Sequence, residues 1–176
     1  MIELNNLILV GGGSRNLGKT EFVSQLIAHT KEKYDIIALK IKTIYEGDNF
    51  FHGKDLKPLK SDYEITEYTK SNDSEDTSRM LQAGAKKVFK IKAKNNYLGI
   101  AFSEFLSRTN TENKLIICES NSLRDYVIPQ YFFIILGTEN AEIKPSAQRL
   151  LKYANKIVYS DGKNFDINIK KLNFTL

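Results

Sequence analysis

Cysteine is almost missing from the sequence: Cys118 stands alone among 176 residues. A lone cysteine excludes a disulfide within the chain and any cysteine-built metal centre, and it suits a reducing cytoplasm. Long apolar runs are missing too. Nothing approaches the ~20 apolar residues of a membrane-spanning helix, and the N-terminal part holds only residues 7–10 as an unbroken apolar run, so neither export nor membrane insertion is expected. Histidine is scarce, with only His29 and His52. His52, in a polar stretch, reads as a loop residue rather than a metal ligand, and His29 as lying on the polar side of a helix. No repeat, linker or second domain is visible, so residues 1–176 are expected to form one domain.

What is present fits an ordinary globular chain: 41% hydrophobic and 27% charged residues, outside the disordered range. The formal charge is +5. Lys86, Lys87, Lys90, Lys92 and Lys94 interleave with strand-forming residues, which reads as a solvated sheet edge, and no nucleic-acid partner is expected.

Strand and helix patterns alternate along the chain. Residues 7–10 read as a buried strand, and Phe22, Val23, Leu26 and Ile27 then share one helical face. "YDIIALKI" (34–41) reads as a second, parallel strand, completing a βαβ unit. Residues 42–72 break into an irregular segment with isolated aromatics, readable as a binding loop or as disorder. Asp73, Glu75 and Asp76 open a short helix that Gly84 ends. "KKVFKIKA" (86–93) alternates as a strand does, and Leu98, Ala101, Phe102, Phe105 and Leu106 mark another helix. "KLIICE" (114–119) and "YFFIILG" (131–137) are nearly continuous apolar runs, as in parallel strands covered on both faces. After Pro145, "SAQRLLKYA" predicts a helix with Asn155 as its terminator. "KIVYS" (156–160) predicts a strand, and the weak alternation of 164–176 predicts an edge strand. The fold class is α/β with a mostly parallel central sheet flanked by helices, and the G-x-x-x-x-G-K-[ST] run at 13–20, between the first strand and helix, makes the expected form a P-loop NTPase-type three-layer sandwich.

The motif that carries chemistry is Gly13-Ser14-Arg15-Asn16-Leu17-Gly18-Lys19-Thr20, a complete G-x-x-x-x-G-K-[ST] between a strand and a helix. Its glycines let successive backbone N–H groups turn inward onto phosphate oxygens, and the helix adds its positive end. Lys19 is expected to reach the outer phosphates of a nucleoside triphosphate, and Thr20 to offer its hydroxyl to Mg²⁺. A ligand there lies beyond the carboxyl ends of the strands, where residues ending other strands converge. Glu119 qualifies, either holding Mg²⁺ through water or positioning an attacking water. Lys40 and Lys42 qualify as substrate or phosphate contacts, one of the two being expected to face outward. Arg79 is a further phosphate candidate, or pairs with an acid on its own helix. Asp161, in "NKIVYSDG" (155–162), is a candidate contact to the base.

Three segments bring a family into view. The phosphate loop, "LKIKT" (39–43) after the second strand, and "EDTSRMLQAGAKKV" (75–88) together resemble the MobB-like P-loop adapters of molybdopterin-guanine dinucleotide biosynthesis. In the third segment, Asp76, Thr77 and Arg79 followed by Ala83-Gly84-Ala85 match the family's D-S-x-R-x-x-x-A-G-A pattern. "LIICES" resembles its apolar strand ending in Glu-Gly, with Glu119 matched and Ser120 in place of the Gly. The family's histidine-rich stretch appears here as "KTIYEGDNFFHGKD". The resemblance implies a GTP-binding homodimer with weak hydrolytic activity that works with a molybdenum cofactor nucleotidyltransferase.

Two other functions share this layout. An ATP-dependent small-molecule kinase or ligase of the dethiobiotin-synthetase sort would use Lys40 or Lys42 and the 42–72 segment as an acceptor pocket. A nucleotide-sensing module would use the same segment as a switch.

Overall fold

A computed structural model describes residues 1–46, 59–70, 75–138 and 141–176. Its centre is a seven-stranded sheet in the order β3-β4-β2-β5-β1-β6-β7. The strands are β1 (Ile2–Gly12), β2 (Asp35–Ile44), β3 (Tyr63–Tyr68), β4 (Lys87–Lys94), β5 (Lys114–Glu119), β6 (Val127–Gly137) and β7 (Lys156–Ser160). All pairings are parallel except that of β3, which runs antiparallel along β4. Among the described residues no helix is long and apolar enough to cross a membrane.

Successive strand residues point to opposite faces, so each central strand supplies two cores. From β1, Leu7 and Leu9 pack on one side with Ala101, Phe102 and Phe105 of α3 (Leu98–Arg108). Ile8 and Val10 pack on the other side with Phe22, Val23 and Leu26 of α1 (Lys19–Thr30) and Met80 of α2 (Asp76–Ala83). This is the three-layer α/β sandwich that the alternating patterns predict. Apolar runs without polar interruption read correctly because both faces of these strands are covered. α2 ends as expected, with Gly84 at φ 116°, a conformation that costs glycine nothing.

Four expectations are corrected. Part of the irregular 42–72 segment is ordered as β3, whose Tyr-Glu-Ile-Thr-Glu-Tyr sequence alternates as a half-exposed edge strand does; residues 47–58 and 71–72, with His52, lie outside the described residues. β4 is consequently not an edge, since β3 covers it, and Lys90 is buried rather than solvated. The helix after Pro145 is only α4 (Pro145–Gln148), followed by a 3-10 turn at Leu151–Tyr153. That turn delivers Asn155 to β6, where its Oδ1 accepts from Phe132 N at 2.8 Å and fixes the entry to β7. Residues 164–176 form no strand. A single bridge joins Ser160 to Phe165, and the tail instead lies on α1, with Ile169 and Phe174 entering the core. Its backbone carbonyls take the polar ends of that helix region: His29 Nε2 lies 2.9 Å from Leu172 O, and Tyr34 Oη donates to Phe174 O at 2.5 Å.

Phe22 is fully buried and meets Phe133 and Phe165 edge-on at 5.2 and 5.0 Å between ring centroids. Phe22→Ala is expected to lower unfolding free energy by about 3–5 kcal/mol. Urea titration should show this as a shifted midpoint at unchanged slope.

Candidate functional site

β1 delivers the loop. Gly13 N donates to Ile135 O of β6 at 2.8 Å, so the first motif glycine is still held by the sheet. Residues 14–17 then leave it. Leu17 is buried and anchors the loop, while Arg15 and Asn16 are exposed. Gly18 turns the chain into α1 at φ 72°, the left-handed conformation that a side chain resists. Gly12 serves differently: a β-carbon there would stand 2.5 Å from Lys19 Cδ. The absent side chain is what lets the Lys19 stem fold back over β1. Its Nζ donates to Ser14 O at 2.7 Å, closing the loop on itself. Burial pushes the Lys19 ammonium below its ordinary pKa, with Glu119 partly offsetting the effect. A buried, poorly hydrated cation beside a glycine-rich loop favours an anionic partner.

The second part of the site comes from the neighbouring strand. β5 lies directly beside β1, with Val10 opposite Glu119. Thr20, in the first turn of α1, donates from Oγ1 to Glu119 Oε2 at 2.8 Å, and both residues are buried. Lys40, on the next strand and opposite Glu119, donates from Nζ to Glu119 Oε1 at 3.1 Å and also pairs with Asp76 of α2. Burial works to lower the Lys40 pKa, but the Glu119 and Asp76 carboxylates outweigh it and raise the value above 10.5. Burial would likewise raise Asp76, yet Lys40 brings it below 3.8.

These groups open into one cavity of about 580 Å³, lined by the loop, Lys40, Lys42, Asp76, Arg79, Lys90 and Glu119. Lys40 and Lys42 both line it, contrary to the expectation that one faces outward. Two positions apart on a strand means the same face. Arg79 also lines it, but pairs with Glu21 of α1 rather than with an acid on its own helix. Asp161 is engaged locally: its carboxylate accepts from Asn164 Nδ2 and from the N–H groups of Asn164 and Lys163. Those bonds, the Asn164 side chain first, lower it to about 2.

Three contributors were not legible as site residues. Asp76 reads in the sequence as a helix-opening charge, and only the packing of α2 beside α1 brings it to Lys40. Lys90 reads as a surface lysine. Asn121 carries no signal at all, yet its Oδ1 accepts from Gly12 N at 2.8 Å and its Nδ2 donates to Gly12 O at 3.0 Å. That pair of bonds pins the strand end of the loop to the segment after Glu119.

The donor set fits Mg²⁺. Among the described residues no three His, Cys, Asp or Glu side chains are grouped to hold a metal unaided. Mg²⁺ beside a nucleotide asks for less, one hydroxyl and one or two carboxylates, with phosphate and water completing the shell. Thr20, Glu119 and Asp76 supply those groups, and the Lys40 ammonium between the two carboxylates marks the spot as one that favours positive charge.

Comparison with protein-family models, curated proteins and solved structures produced no match.

Asn121→Ala leaves both polar groups of Gly12 without these partners and is expected to cost about 1–3 kcal/mol, measurable by thermal or urea unfolding. The Lys40–Asp76 pair has a defined pH window. Asp76 is lowered, so its contribution is present above 3.8 and is lost as pH falls through its folded value. Lys40 is raised, so its contribution is present below 10.5 and is lost as pH rises through its folded value. Carbon-detected NMR should place the Asp76 midpoint under 3.8 and move it upward in Lys40→Met.

Proposed function

We propose that the chain is a Mg²⁺-dependent nucleoside triphosphate-binding protein that hydrolyses its nucleotide slowly. We propose further that it serves molybdenum cofactor biosynthesis, as the MobB-like adapters it resembles do. In this reading it binds GTP, forms a homodimer, and assists a molybdenum cofactor nucleotidyltransferase in the cytoplasm. The observation that carries nucleotide binding is the Thr20–Glu119 hydrogen bond at the mouth of the phosphate loop, with the Lys19 ammonium in the same cavity.

The roles follow from chemistry. The N–H groups of residues 14–20 bind the phosphate chain, and Lys19 moves from Ser14 O to the outer phosphates, where its charge is better matched. Thr20 and Glu119, with Asp76, would hold the Mg²⁺ that travels with the nucleotide; the ion supplies charge neutralisation at the phosphates. Glu119 also orients a water toward the terminal phosphate. Arg15 and Asn16, exposed on the loop, lie at the rim where nucleotide enters.

A second reading, an ATP-dependent kinase or ligase of the dethiobiotin-synthetase sort, is favoured by one feature. The cavity continues past the phosphate loop to Lys42 and Lys90, offering room for an acceptor.

Calorimetric titration with Mg²⁺ and non-hydrolysable GTP and ATP analogues tests these readings. Binding is expected, weakened at least tenfold in folded Lys19→Ala. A guanine preference supports the adapter and an adenine preference the kinase or ligase. Folded wild-type protein that binds neither would overturn nucleotide binding.

A further inference from the structure

The oxygens that suit Mg²⁺ also hold a cation of the protein's own. Lys40 Nζ donates to Glu119 Oε1 at 3.1 Å and pairs with Asp76, while Glu119 Oε2 accepts from Thr20 Oγ1 at 2.8 Å. Both carboxylates are therefore engaged by one ammonium. The backbone builds this arrangement: β2 sets Lys40 directly opposite Glu119 of β5, and α2 begins at Asp76 on the other side. The Lys40 and Glu119 side chains are only 21% and 10% exposed, so the pair is largely out of water.

Buried charges must be balanced locally. Lys19 belongs to the same balance, since the Glu119 and Asp76 carboxylates favour its charge and the Lys40 and Lys144 ammoniums oppose it. Across Lys19, Lys40, Glu119 and Asp76 the formal charges cancel. A divalent cation on those carboxylates would leave two surplus positive charges in a largely buried site, and it would compete with Lys40 for the same oxygens. A polyphosphate changes the balance, because its negative charges can receive both ammoniums. Lys40 lines the same cavity as the phosphate loop, at the carboxyl ends of the strands where such a ligand lies. A lysine suits an exchange of partners: its ammonium is a compact charge on a flexible stem, with donors that rotate freely.

We propose that Lys40 stands in for the metal: it holds the Glu119 and Asp76 carboxylates when no nucleotide is bound, yields them to Mg²⁺ only when a triphosphate arrives, and then turns its ammonium onto the terminal phosphate. This exchange rests on the phosphate-loop reading above. It makes Lys40 a positioning residue for the metal-binding carboxylates and a specificity residue for the nucleotide. A diphosphate lacks the terminal group that receives the displaced ammonium, so the exchange favours the triphosphate. Free Mg²⁺ alone meets a site that is already neutralised.

Mn²⁺, which oxygen sites accept in place of Mg²⁺, is the probe. It is titrated into nucleotide-free protein and followed by electron paramagnetic resonance. Lys40→Met removes the ammonium and is expected to bind Mn²⁺ at least tenfold more tightly than wild type, whereas Lys40→Arg gains nothing. Adding Glu119→Gln to Lys40→Met is expected to abolish the gain. Calorimetry with Mg²⁺ and non-hydrolysable triphosphate or diphosphate reads the specificity: wild type favours the triphosphate, and Lys40→Met loses at least tenfold of that preference. An ion pair that serves stability alone would lower the unfolding midpoint in Lys40→Met without raising its metal affinity. Circular dichroism establishes that the variants are folded, and Lys40→Gln takes the same test if Lys40→Met is not. A folded variant that binds Mn²⁺ no more tightly than wild type, in a protein that does bind nucleotide, would overturn the exchange alone. An unchanged triphosphate preference would overturn the turn toward the terminal phosphate. Tighter Mn²⁺ binding by the variant of a protein that binds no nucleotide would sustain Lys40 as the cation on these carboxylates while removing the nucleotide reading.

Discussion

The pairing of β1 with β5 is the constraint on which the site depends. Parallel pairing brings the carboxyl ends of both strands to one edge of the sheet, and the Val10–Glu119 register sets a carboxylate next to the phosphate loop. Shift that register by one residue and Glu119 would turn to the opposite face, toward α3, where Leu9 and Cys118 now sit. The Asn121 bonds to Gly12 secure the register at the point where the loop departs. Cys118 belongs to the same arrangement: deep burial holds its thiol far above its ordinary pKa, so it packs as an apolar residue.

From that edge, one charge leads to the next. Thr20 is fixed by Glu119, Glu119 by Lys40, and Lys40 by Asp76, so α1, β5, β2 and α2 meet through polar side chains at the cavity rather than through apolar ones. Burying charges is costly unless they are paired. Placing the network at the carboxyl edge keeps it partly solvated, and the apolar contacts that hold the sandwich together stay further back along the strands.

Most of the fold was legible because its signals were physical and local. β5 and β7 match the expected bounds residue for residue; β5 is covered on both faces and carries no polar residue inside, whereas β7 is an edge strand that leaves Tyr159 exposed. β1 and β6 run longer than their apolar cores because Ile2–Gly12 and Val127–Gly137 continue pairing past a register shift between Leu4 and Ile8. β3 escaped notice because an edge strand with one wet face resembles a polar loop. The tail escaped because its partner is the back of a helix, a long-range contact with no local periodicity. At the site, the loop and Glu119 were readable from spacing. Asp76 and Asn121 were not, because their roles arise only when elements distant in sequence are packed together.

The tail on α1 also bears on the order in which the molecule assembles. His29 in the helix that opens at Lys19, and Tyr34 just after it, meet the carbonyls of Leu172 and Phe174, about 140 positions later. Sequence separations of that size slow folding, because the chain must close a large loop before those contacts reward it. During synthesis the phosphate loop therefore leaves the ribosome long before the residues that brace the back of its helix, and α1 reaches its final packing only once residues 169–174 have followed.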